Sequence, residues 1–106
     1  MSWIYLVVAG LFEIGWPLGL KIAESPDRRL RGIAIAVFFM GASGALLWLA
    51  QRQIPMGTAY AIWTGIGAVG TLLVGILFYQ EPSNLMRLGS ALLIVVGIIG
   101  LKLAHG

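Results

Sequence analysis

The sequence predicts an all-α integral membrane protein of four transmembrane helices, and three observations carry that prediction. Of 106 residues, 59% are hydrophobic and only 10% are charged, whereas a soluble domain carries about 25% charged residues. The mean hydropathy of +0.95 implies more apolar surface than so small a soluble chain can hide, because small domains bury only part of their length. Finally, the apolar residues fall into four runs divided by short polar breaks. Each run is about 17–25 residues long, enough for a helix to cross roughly 30 Å of hydrocarbon. Helices also satisfy their own backbone groups within the segment, as lipid requires. The four runs leave no room for a soluble domain, so residues 1–106 read as one transmembrane domain.

The first helix is predicted over 3–21 and holds one charge, Glu13. It reads as a retained span, because it lacks a basic leading region and Glu13 interrupts its apolar stretch. A polar loop with Ser25-Pro26-Asp27 as the breaker leads to a second helix over 31–50. Gln51-Arg52-Gln53 and Pro55 separate this from a third helix over 57–79. Gln80-Glu81-Pro82-Ser83-Asn84 ends the third, and a fourth runs over 85–103.

A net charge of +3 raises the question of nucleic acid, but such a surface needs clustered basic residues on a solvated face. Here Lys21, Arg28, Arg29, Arg31, Arg52, Arg87 and Lys102 sit at the ends of apolar runs, where membrane proteins carry positive charge. Four spans put both termini and the second loop on one side, with Arg52 and Lys102. The other five basic residues share the opposite side, which by the positive-inside rule faces the cytoplasm. Cysteine is absent and His105 is the one histidine, so no metal cluster is expected. No phosphate-binding loop or Ser–His–acid set is present. The expectation is a protein that is not an enzyme, uses no cofactor and binds no nucleic acid.

Glu13 is the strongest chemical signal. It lies about ten residues into its helix, hence about 15 Å deep, near the bilayer midplane. An ionised group there costs about 2.5–3.5 kcal/mol, and intramembrane acids mark ion or substrate pathways. The structural alternative is a protonated glutamate hydrogen-bonded to a neighbouring helix. Ala9, Gly10, Trp16 and Pro17 lie three and four residues away on the same face. The small pair admits another helix, and Trp16 offers an N–H donor and an aromatic wall. Pro17 lacks the N–H that would bond to the Glu13 carbonyl, which predicts a bend beside the acid.

On the third helix, Tyr60 and Trp63 offer rings that can face a cation, although Tyr60 also suits an interfacial aromatic belt. Gly65, Gly67 and Gly70 read either as a hinge or as a surface for close helix packing. Ser43, midway along the second helix, either bonds to its own helix backbone or donates to Glu13. Ser90, Gly97 and Ala104 recur every seven residues in the fourth helix, with Gly100 nearby. Such a stripe favours helix association, as a dimer seam or as packing within one subunit. Four short helices enclose little polar space, so two subunits bringing two Glu13 carboxylates to one chamber are expected, in closed two-fold symmetry. Burial and a like charge favour a protonated carboxyl, while a cation favours the ionised one. Proton and cation thus compete for the same groups, and alternating occupancy gives exchange.

The chain resembles the small multidrug resistance family of transporters over nearly its whole length. The resemblance rests on Trp3, Gly10-Leu11-Phe12-Glu13, Trp16, Lys21, the run Pro55 to Ala68, Glu81 and Gly97-Ile98-Ile99-Gly100-Leu101-Lys102. Trp16, Ser43 and Thr64-Gly65-Ile66-Gly67 resemble its guanidinium-exporter subgroup. The resemblance implies a proton-coupled antiporter in the inner membrane that exports guanidinium-type organic cations. It implies Glu13 as the shared proton and substrate site, lined by Trp16, Ser43, Tyr60 and Trp63, and an antiparallel, dual-topology dimer. Pro17 stands where such proteins often carry a small residue, and the five-to-two charge split suits a subunit with a separately encoded partner. A quaternary-ammonium exporter of the same family and a non-transporting membrane subunit are the competing expectations. Guanidinium suits the site chemically, because its planar N–H pairs match a carboxylate.

Overall fold

In the computed structural model, residues 1–105 are described, His105 by its backbone alone. The helices are α1 (Ser2–Glu13), α2 (Gly15–Ile22), α3 (Arg29–Gln51), α4 (Met56–Phe78) and α5 (Leu85–His105), with a 3₁₀ turn at Pro26–Arg28. α1 and α2 together make one apolar span, Ser2–Ile22; the other three cover Pro26–Gln51, Met56–Phe78 and Leu85–Ala104. Each is long and apolar enough to cross a membrane.

The break between α1 and α2 falls at Ile14, one residue past the acid. Pro17 has no N–H to give the Glu13 carbonyl. Around that gap the Ile14 N–H shortens to a bond with the Leu11 carbonyl (3.2 Å), and the Leu18 N–H reaches the Ile14 carbonyl only at 3.4 Å. Ile14 keeps helical angles, φ −65° and ψ −31°, so the span is interrupted without ending. Before α3, Pro26 pushes Ser25 into extended backbone (φ −78°, ψ 124°), the conformation a following proline favours. α3 then begins at Arg29, so Arg29 and Arg31 belong to its first turn and not to the loop.

α4 runs unbroken through Gly65, Gly67 and Gly70. In this conformation the three glycines serve as seats for neighbouring side chains, the close-packing alternative. A Cβ at Gly65 would lie 2.9 Å from Ile98 Cδ1, one at Gly67 would lie 2.5 Å from Glu13 Cγ, and one at Gly70 would collide with Ile14. Gly10 on α1 likewise receives Ile66, 2.7 Å from an added Cβ. Helices in lipid gain little from the hydrophobic effect between them and rely on such close approach.

α1 and α2 pack against α3, α1 also packs against α4, and α5 attaches through α4. At the end carrying the N-terminus, Leu6, Ala50, Ile54, Ala59 and Ile62 form the buried core, and Ser2 Oγ donates to Gln53 Oε1 at 2.8 Å. At the opposite end the Lys21 ammonium lies 5.6 Å from the Tyr79 ring centroid. α5 stands apart: Ala91 is its one buried residue among those described, and nothing lies within 4 Å of a Cβ added at Gly97 or Gly100. Ser90 Oγ donates to its own helix at Met86 O (2.8 Å), and Ala104 is exposed. The stripe of Ser90, Gly97, Gly100 and Ala104 therefore takes no part in packing within the subunit.

Candidate functional site

Glu13 closes α1 halfway along the first span, between α3 and α4. Its Cγ occupies the space left by Gly67, a buried position on α4. The bare backbone of Gly67 thus fixes the base of the carboxylate side chain. The head faces a cavity of about 310 Å³ lined by Trp16, Pro17, Thr64, Gly67, Ala68 and Thr71 along with Glu13 itself. Glu13 is the one acidic residue of the first span, Ser2–Ile22.

Ser43 is the hub of the site. It is fully buried on α3 and its hydroxyl meets three groups. Oγ lies 2.7 Å from the Ala9 carbonyl and 3.4 Å from Glu13 Oε1, and it accepts the Trp63 Nε1–H at 2.8 Å. A serine hydroxyl has one proton and two lone pairs. Trp63 fills one lone pair, so the single proton must choose between a carbonyl and the carboxylate. The shorter distance gives it to Ala9. The second lone pair then faces Glu13 and can accept a proton carried by that carboxyl. When Glu13 is ionised, rotation of the hydroxyl offers it a donor instead. The site can therefore accommodate both protonation states with one torsion and no movement of the backbone.

Of the residues singled out from sequence, the structure brings Glu13, Ser43 and Trp63 into one hydrogen-bonded chain. Ser43 bonds neither to its own helix nor solely to Glu13; its strongest acceptor is on α1. Trp16 lines the cavity, while the donors that reach Ser43 and the acid come from α3 and α4. Tyr60 packs on the Trp63 ring (centroids 5.5 Å apart, planes tilted 53°) and is 56% exposed, so in one subunit it stands at the edge of the network. Sequence reasoning missed Ala9 as an acceptor, Thr64 and Thr71 as cavity walls, and Gly67 as the seat of Glu13. The heptad spacing of Thr64 and Thr71 was the available signal.

A four-span membrane protein with one carboxylate held among its helices is the class that fold and site define. The chain belongs to the small multidrug resistance protein family, whose model matches residues 1–96. It is 54% identical over 104 residues to a protein named guanidinium exporter from Escherichia coli strain K12, covering 98% of each chain. Like-named proteins from Proteus vulgaris and Yersinia pestis are 53% and 51% identical over 104 residues, covering 98% of this chain and 99% of theirs. With its four spans, this makes the chain a multi-pass inner-membrane protein.

Proposed function

We propose that this protein exports guanidinium and small substituted guanidinyl cations in exchange for protons, both competing for Glu13. The observation that carries the reading is the Trp63–Ser43–Glu13 chain, an acid inside the membrane held by a hydroxyl able to serve either protonation state. The relatives named guanidinium exporter support the choice of cation. A guanidinium ion offers N–H donors in a plane, which suits an oriented carboxylate. A quaternary ammonium has no N–H to offer and needs a looser aromatic pocket.

The working unit is an antiparallel dimer with two Glu13 carboxylates. Three observations support it: the Glu13 cavity is open in a single subunit, Tyr60 is exposed against Trp63, and α5 presents an uncovered stripe of small residues. A second reading, pairing with a different subunit, is favoured by the charge split, since an evenly dual-inserting chain carries balanced charge.

The test is proton-coupled uptake into liposomes by the purified chain, with guanidinium and a tetraalkylammonium side by side. The expected result is guanidinium-driven proton movement in the wild type and none in Glu13→Gln. Uptake retained by Glu13→Gln overturns the reading. Inactivity of the chain alone, restored by a co-expressed partner, selects the heterodimer.

A further inference from the structure

We infer that Glu81 forms a second cation-binding station at the membrane-surface mouth of the Glu13 cavity, taking guanidinium-type cations and held closed by the chain's own Arg87. The inference rests on the export reading above and adds a site at the other end of its path. A second cavity, about 210 Å³, adjoins the one at Glu13; Ile14, Pro17, Lys21, Thr71, Tyr79 and Glu81 are among its walls. Pro17 and Thr71 line both cavities. A continuous lining thus leads from the half-buried acid within the span to a second carboxylate at the end of α4.

The loop after α4 is built to turn that carboxylate inward. Gln80 adopts the left-handed conformation (φ 58°), uncommon outside glycine, and the chain doubles back so that the Glu81 N–H bonds to the Gly75 carbonyl at 3.1 Å. The carboxyl group then lies over the bare Cα of Gly75, where an added Cβ would fall 2.5 Å from its Cδ. A side chain at that position would expel it. Asn84 accepts the Arg87 N–H at 2.9 Å, capping α5 and setting where Arg87 starts.

The ligand class follows from what occupies the station now. The Arg87 guanidinium donates to Glu81 Oε1 through one nitrogen at 3.2 Å, and its buried Nε has no acceptor among the described residues. The pair is a one-armed contact and not the two-bond fork that guanidinium and carboxylate prefer. Its side chains are 35% and 49% exposed, so water and solute reach it. The aromatic face alongside, Tyr79, is covered by the Lys21 ammonium, itself paired with Glu24 at 3.2 Å. A carboxylate and a ring face, each held by a tethered cation, suit a small planar cation that can displace both. Exchange of Arg87 for a free guanidinium costs no net charge and lets the ligand form the complete fork.

A purely structural ion pair and a self-occupied binding station make opposite predictions. Loss of either partner harms a structural pair alike, whereas for a station the two losses have opposite signs. Initial-rate uptake of guanidinium at low ionic strength is measured for wild type, Glu81→Gln and Arg87→Gln, alongside equilibrium guanidinium binding to the detergent-solubilised protein. Surface pairs of this exposure are worth a factor of about two to five. Glu81→Gln is expected to raise KM by that factor and flatten its salt dependence, with binding at Glu13 unchanged. Arg87→Gln is expected to lower KM. If a variant fails to assemble, Gly75→Ala, which displaces the carboxylate without removing charge, is expected to act in the direction of Glu81→Gln. KM shifts of the same sign for Glu81→Gln and Arg87→Gln, or no shift in the variants that assemble, overturn the inference while leaving the export reading intact. A wild type that moves no guanidinium defeats the export reading itself.

Discussion

α4 and α5 are alike in composition and opposite in use. Their mean hydropathies over the membrane window are 2.0 and 1.9, yet 17% of the α4 window is buried within the subunit and 6% of the α5 window. Both carry spaced glycines. On α4, Gly65, Gly67 and Gly70 each receive a side chain from α5, α1 or the Ile14 turn; on α5, Gly97 and Gly100 face open space. A glycine in an apolar helix thus marks a close approach without saying to what. On α4 it builds the site, and on α5 it leaves a face for something outside the subunit.

Adding bulk at each kind of glycine is the most forceful way to break the comparison. Gly67→Val drives a branched side chain into the space of Glu13 Cγ, 2.5 Å from the first added carbon. Overpacking of this kind costs about 1–3 kcal/mol, and it displaces the acid, so transport is expected to vanish and the thermal melt to fall. Wild-type transport by Gly67→Val would mean that Glu13 is not seated where α4 holds it.

The next largest effect is expected from Ser43→Ala. The change leaves the Trp63 N–H without its acceptor and removes the hydroxyl that faces Glu13. A buried group so orphaned costs about 1–3 kcal/mol, enough to reduce transport roughly tenfold, as read by guanidinium uptake rates. Ser43→Thr, which keeps the hydroxyl, should recover part of the loss. Equal activity of Ser43→Ala and wild type would reduce the hydroxyl to a filler.

The smallest effect on the subunit itself is expected at the other helix. A Cβ added at Gly97 meets nothing within 4 Å in one subunit, so Gly97→Leu should keep the helix content of the wild type. Self-association, followed by cross-linking or sedimentation in detergent, should weaken. A drop in helix content equal to that of Gly67→Val would erase the distinction between the two helices.

The same contrast explains what the sequence made legible. The four spans were, because run length and polar breaks report directly on the bilayer. The interruption beside Glu13 was, because Pro17 removes one identifiable N–H. The site was legible in its members but not in its wiring. Ser43 has several acceptors in reach by spacing alone, and only the crossing of α1 and α3 selects Ala9. The roles of Gly65, Gly67 and Gly70 were not legible either, since a missing side chain looks the same in a hinge and in a seat. Glu81 carried a family resemblance, but its inward turn depends on a left-handed glutamine that no pattern announces.

The turn at Ile14 makes the first span two rods jointed beside the acid. The outer rod, Gly15–Ile22, has 8 residues and is therefore about 12 Å long. A rotation of about 10° at the joint carries its tip roughly 2 Å sideways, by the same rise per residue. Lys21 rides near that tip, against Tyr79. A sub-ångström adjustment around the intramembrane carboxylate is thereby magnified at the membrane surface, giving the interior a mechanical line to the rim.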